Sequence, residues 1–284
     1  MNQSMFIVWR ESVEALLVIG ILQAWISQQS QGSRLVEFLW AGVVLGLLFS
    51  GLLAGLILLA GSAMSGPASE WFQAALALIA SLLIVQMVSW MHRHGRTLKQ
   101  DLLRDADSKM SRQGGWGLLL LALLAVSREG SETVVFLYGA GAQLRGPQLG
   151  LFAIGGALGL VLSALTIVVL HGSRRFISWQ RFFAISETIL LLLGAALLVS
   201  GIERVGGQLL AMDVPEWVYS LAGDALWDSN ALLSDSHGMG GFLASFTGYR
   251  ATPSALAVLA WLGYWLLVGG WLRLRTADKV PCLN

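Results

Sequence analysis

Two short stretches carry the residue types needed to hold a cation inside an otherwise apolar chain. Arg10-Glu11-Ser12-Val13-Glu14 lies within FIVWRESVEALLVIGIL, and Arg128-Glu129-Gly130-Ser131-Glu132 lies within LLAVSREGSETVVFLYG. On a helix, the Arg and the second Glu of each pentad are four residues apart and the two Glu three apart, so the charges share one face. Two such faces meeting would gather four carboxylates and two guanidiniums. Carboxylates are hard oxygen donors suited to hard cations, and affinity rises with their charge. Neither pentad contains Cys or His, which argues against a site for soft metals. Arginine stays charged and can hold part of the array through bidentate hydrogen bonds. It also lowers the net negative charge, which lets a bound ion leave again.

The competing reading makes each pentad a buried salt bridge that fixes helix register. Buried ion pairs often cost more than they return, and each pentad has one glutamate more than it has arginines. Each charge at a bilayer centre costs about 2.5–3.5 kcal/mol, so six facing lipid would cost on the order of 15–20 kcal/mol. That is comparable to or above the whole stability of a typical domain. The charges must face a bundle interior or a wet cavity, and ion passage is the stronger reason to keep them.

The elements that position the pentads are membrane helices. The chain has 284 residues, 56% of them hydrophobic and 12% charged, with a mean hydropathy of +0.69. Several apolar runs are long enough to span a bilayer. Net charge near +1 gives no case for nucleic acid, and the single cysteine, Cys282, allows neither an intramolecular disulfide nor a thiolate metal site. The first apolar segment follows no basic stretch and carries three charges, so it reads as a retained helix and not a cleaved signal peptide. Seven spans are predicted, at about 5–28, 35–61, 70–91, 116–139, 149–171, 182–203 and 254–273.

The basic loop 92–115, with Arg93, Arg96, Lys99, Arg104, Lys109 and Arg112, is expected on the cytoplasmic side. Counting outward places Arg34, Arg174, Arg175, Arg181, Arg273, Arg275 and Lys279 inside, with Arg145 as the one minor exception, the C-terminus inside and the N-terminus outside. Residues 204–253 then form an outer segment carrying Asp213, Glu216, Asp224, Asp228 and Asp235, with a short helix expected around Trp217–Leu226.

The pentads lie 118 residues apart and open the first and fourth spans. Gly42, Leu45, Gly46, Leu47 and Ser50 align with Gly155, Leu158, Gly159, Leu160 and Ser163, 113 residues on. A unit of three spans is odd, so its second copy enters the bilayer from the opposite side. Inverted repeats of this kind typify transporters with sites near the midplane. The expected architecture is an all-α polytopic membrane protein with seven transmembrane helices. It comprises a first three-helix repeat (1–91), the cytoplasmic loop (92–115), a second, inverted repeat (116–203), the outer segment (204–253), and a seventh helix with its tail (254–284). The pairs Gly42/Gly46, Gly51/Gly55 and Gly155/Gly159 are read first as close-packing seams.

Both pentads have the form Arg-Glu-x-x-Glu, and on that signature the chain resembles the oxidase-dependent iron permease family. Its members include the fungal high-affinity iron permease and the bacterial permease of the elemental ferrous iron uptake system. The likeness extends over nearly the whole chain, through the span count, the basic loop after span three and the outer stretch ending GYRATPS. It implies iron translocation across the cytoplasmic membrane, with Glu11, Glu14, Glu129 and Glu132 coordinating iron and Arg10 and Arg128 as their partners. It also implies that an extracytoplasmic oxidase or iron-binding protein delivers the iron, as ferric ion, with no cofactor permanently bound. Relatives often carry a glutamate near the start of span three, where this chain has Gln73 beside Glu70.

An outer metal-receiving set is drawn from Glu70, Asp213, Glu216, Asp224, Asp228, Asp235 and His237, against the plainer reading of a solvated loop. Glu187 is read as part of an exit path, as a snorkelling side chain or as a local pair, and Glu203 and Arg204 as a neighbouring pair or solvated ends. His92 and His94 are read as membrane-surface residues, and Trp40, Trp71, Trp90, Trp116 and Trp265 as an aromatic belt against lipid. No HExxH helix and no nucleophile–histidine pairing supports an intramembrane enzyme. The nearest rival keeps the fold and changes the cargo to manganese or lead. Short loops favour a bacterial inner membrane.

Overall fold

The computed structural model describes residues 1–29, 32–94, 97–142, 144–172, 179–212, 214–236 and 238–277. Among these the chain is helical, apart from turns and one isolated antiparallel bridge between Ala225 and Ser254. Ten helices follow in order: α1 (Asn2–Ile26), α2 (Gly32–Ala63), α3 (Pro67–His94), α4 (Leu98–Gln113), α5 (Gly115–Gly141), α6 (Pro147–Gly172), α7 (Trp179–Leu210), α8 (Glu216–Ala222), α9 (Gly238–Thr247) and α10 (Ala255–Ala277). Proline opens α3 and α6 at the first helical position, where its missing N–H costs nothing. Each follows a glycine at positive φ, Gly66 at 60° and Gly146 at 57°.

Each of the seven predicted segments falls on a helix. Four helical stretches, Gly32–Ala63, Pro67–His92, Pro147–Val169 and Ala184–Leu210, are long and apolar enough to cross a membrane on those grounds alone. The helices α1 and α5 differ because the pentads interrupt them with three charges each. The apolar stretch of α10, Ala255–Trp271, is shorter. Two helices appear that were not expected as such: α4, within the basic loop, and α9, in the outer segment. The short helix α8 begins one residue before the expected one and ends four residues earlier.

The chain packs as two compact units, one of residues 1–64 and 88–187, the other of residues 65–87 and 188–284. In the first, α2 packs chiefly on α5, and α1 on α6. Both contacts are glycine seams. A side chain at Gly42 would fall on the Leu119 carbonyl oxygen, and at Gly46 it would sit 2.8 Å from Val126 Cβ. In the other pair, Gly155 meets the Met1 carbonyl and Gly159 that of Met5. Here the Ser4 hydroxyl donates to the Phe152 carbonyl at 2.7 Å and the Trp9 indole N–H to Thr166 at 2.9 Å.

In both pairs the contacts advance along the two chains together, so α1 runs with α6 and α2 with α5. The connection 27–31 is short and α1 packs on α2, which makes those two antiparallel. It follows that α1 and α5 run in opposite directions. An apolar cluster of Val18, Leu22, Ile26, Leu39, Leu118 and Ala122, with others, holds this end together. The outward faces of α2 and α6 expose a run of leucines, among them Leu48, Leu52, Leu59, Leu160 and Leu165. An apolar surface of this extent, on helices long enough to cross a membrane, fits a lipid environment.

The second unit is tied by long-range pairs. Arg204 donates to Glu70 at 2.5 Å, and Arg250 grips both oxygens of Glu203 at 2.7 and 2.9 Å. This corrects the expected pairing of Glu203 with Arg204: the neighbours each take a distant partner. In the outer segment, the Tyr249 hydroxyl donates to the Leu233 carbonyl at 2.9 Å, and the Ser229 N–H donates to the Ala251 carbonyl at 2.9 Å.

Candidate metal site

Glu11 and Glu14 come from α1 and Glu129 and Glu132 from α5, and the antiparallel arrangement brings the two pentads to one level. Carboxylate oxygens of Glu11, Glu14 and Glu129, all three residues buried, lie within 4.8 Å of one another. Among the described residues this is the one group of three or more metal-competent side chains so arranged. Glu132 stands beside it, partly buried.

The arginines organise the carboxylates. Arg10 is fully buried and reaches Glu11 at 2.9 Å and Glu14 through its other terminal nitrogen. Arg128 is 38% exposed, donates to Glu132 at 3.1 Å and stands 4.0 Å from Glu129. Its guanidinium lies over the Trp90 ring, 4.3 Å from the centroid. Four carboxylates against two guanidiniums leave a net charge of about −2 when all are ionised. Oε2 of Glu129 and Oε2 of Glu132 are buried without a hydrogen-bond partner. A buried carboxylate oxygen with no donor is costly in a low-dielectric interior. A cation would satisfy such an oxygen, so the set can coordinate a hard metal ion through oxygen alone.

On one side the pentads open onto a cavity of about 710 Å³ lined by Glu14, Glu129, Arg128 and Trp90 and, from α4, Asp101, Arg104 and Asp105. The α4 aspartates and the stacking role of Trp90 were not anticipated. For α4 a signal was present, since Leu102, Leu103, Ala106 and Met110 recur at helical spacing. For Trp90, placement near a span end suggested only an interface residue.

The structure does not gather the outer set. Glu70 is held by Arg204, Glu216, Asp224 and Asp228 are exposed, and Asp235 accepts the Ala251 backbone N–H at 3.2 Å. Asp213 and His237 lie outside the described residues. Glu187 pairs locally with His92 at 3.5 Å. The side chain of His94 lies outside the described ones, as do those of Arg93, Lys99, Arg112, Arg181, Arg273 and Arg275 and the residues Arg96, Arg174, Arg175 and Lys279.

With this geometry in place, comparison with known proteins is informative. The profile of the iron permease FTR1 family matches residues 1–276. The ferrous iron permease EfeU of Escherichia coli O6:H1 is 27% identical over 264 residues, covering 91% of this chain and 90% of that protein. The ferrous iron permease EfeU of Yersinia pestis is 26% identical over 261 residues, covering 91% of this chain and 88% of its own length. No solved structure matches the chain.

Proposed function

We propose that this chain, which belongs to the iron permease FTR1 family, moves iron across the cytoplasmic membrane by way of Glu11, Glu14, Glu129 and Glu132. The observation that carries this is the meeting of buried carboxylates from two antiparallel helices within 4.8 Å. A buried salt bridge that merely fixed register would not need the surplus carboxylate, nor leave oxygens of Glu129 and Glu132 without donors.

The architecture we infer has seven spans, two inverted three-helix repeats (1–91 and 116–203) and a seventh helix. In its support, the first helix of each repeat packs along the second helix of the other, in both cases across paired glycines. The first helices run in opposite directions, as inversion requires. The N-terminus is outside and the C-terminus inside, following the basic loop 92–115. Iron arrives as the ferric ion from an extracytoplasmic oxidase or iron-binding protein, a harder ion than ferrous and better matched to an all-oxygen donor set. Arg10 keeps Glu11 and Glu14 in place, Arg128 adjusts the charge of the second pair, and a change of access releases the ion inward. The protein acts as a permease, with no resident cofactor.

The test is radio-iron accumulation in cells lacking their own iron transport, supplied with ferric or ferrous iron, with the outer partner co-expressed. Wild type should accumulate iron, and Glu129→Gln and Glu132→Gln, at matched membrane expression, should fall to background. Equal accumulation by the variants would make the pentads structural. Competition by manganese or lead at matched concentration would shift the cargo assignment to those ions.

A further inference from the structure

The cavity beneath the pentads has a second charged wall. Asp101 and Asp105 are four residues apart on α4, so they share a face, and both line the same cavity as Glu14 and Glu129. We propose that these two aspartates form an inner cation station, which takes a rehydrating multivalent ion from the pentads and passes it toward the cytoplasm. This rests on the reading that iron passes through the pentads.

Volume decides how such a hand-over would run. A cavity of about 710 Å³ holds roughly 20 water molecules at about 30 Å³ each. An ion leaving the carboxylates therefore has room to take up water within the cavity. Charge favours the same direction. Among the described residues, Glu14, Glu129, Asp101 and Asp105 line the cavity against Arg104 and Arg128, and a cleft with one sign in excess concentrates counter-ions.

Within the described residues, the aspartates are not otherwise engaged. Asp107, on the same helix, accepts the Trp25 indole N–H at 3.0 Å and so helps dock α4. Among the described residues, neither Asp101 nor Asp105 makes a side-chain hydrogen bond or an ion pair. Glu129, more than nine-tenths buried, lines the same cavity and has an oxygen without a hydrogen-bond partner. A helix docked for packing alone would gain by turning its bases toward the glutamates. Instead α4 turns two carboxylates that way with one arginine between them.

The experiment is radio-iron influx into the iron-transport-deficient cells used above, with the outer partner co-expressed and membrane expression matched, and with equilibrium radio-iron binding measured on the purified full chain in detergent. The variants are Asp101→Asn/Asp105→Asn and Asp101→Glu/Asp105→Glu. The asparagine variant should bind iron as wild type does and lose initial influx about tenfold, the lower end of what charge focusing supplies. The glutamate variant should retain wild-type influx. Unchanged influx in the asparagine variant overturns the station. So does loss of influx in both variants, or a loss of binding alongside influx, which would mark a structural role. If wild type itself moves no iron, the iron-permease reading fails first, and that outcome is distinct from a defect confined to the α4 variants.

Discussion

Around Arg10, the guanidinium is fully buried and joined to both glutamates of its own pentad. Around Arg128, the same three residue types surround a guanidinium that is 38% exposed, pairs closely only with Glu132 and rests on Trp90. Both pentads border the cavity, the first through Glu14 alone, but only the second exposes its arginine there. The difference arises from neighbours and not from the motif. The ring of Trp90 and the cavity beside α4 give the second arginine a position it can leave without stranding a charge in a dry interior. Arg10 has no such freedom. We read the first pentad as the fixed half of the site and the second as the half that yields.

The sharpest way to break this contrast is to remove each arginine in turn. Arg10→Ala leaves two carboxylates uncompensated in the interior and should cost about 3–5 kcal/mol, seen as loss of folded protein in thermal unfolding from detergent. Arg128→Ala should cost less, no more than about 2 kcal/mol, because its guanidinium is partly exposed, while still altering iron uptake. Equal destabilisation by the two would erase the distinction.

Overpacking the seams comes next. Gly42→Leu or Gly159→Leu drives a side chain onto a facing backbone carbonyl and should cost about 1–3 kcal/mol. Gly51→Leu, where nothing lies within 4 Å, should stay within about 0.5 kcal/mol of wild type. The same thermal assay reads both. Trp90→Ala removes the platform under Arg128 and should lower the unfolding midpoint by the equivalent of about 0.5–2 kcal/mol, with Trp90→Phe recovering part of it. The smallest effect is expected in the other unit: Glu70→Gln releases Arg204 from a partly exposed partner and should cost no more than about 1 kcal/mol.

Local pattern carried much of this into the sequence. The pentads, their shared helical faces and the glycines at matched offsets are short-range signals, and each of the seven apolar segments falls on a helix. What escaped was set by partners far away in the chain. Arg204 takes Glu70, 134 positions distant, and Arg250 takes Glu203, 47 positions distant, although an adjacent partner was available to Glu203 and Arg204. In α4 the leucine spacing was legible, but its basic residues drew attention to sidedness and away from its aspartates. Trp90 looked like every other tryptophan near a span end, since nothing in its own neighbourhood announces Arg128.

The glycine seams bear on how the protein is made. The partner surfaces of α1 and α2 belong to α6 and α5, which leave the ribosome more than a hundred residues after α1 does. Until then the N-terminal hairpin has its small-residue face uncovered and Arg10, Glu11 and Glu14 without the second pentad beside them. Neither half can settle into lipid on its own terms. The first helices are expected to be sheltered by the insertion machinery, or to wait at the interface, until residues 147–172 emerge, so the meeting of the two pentads and the closing of the glycine seams fall late in the synthesis of the first unit.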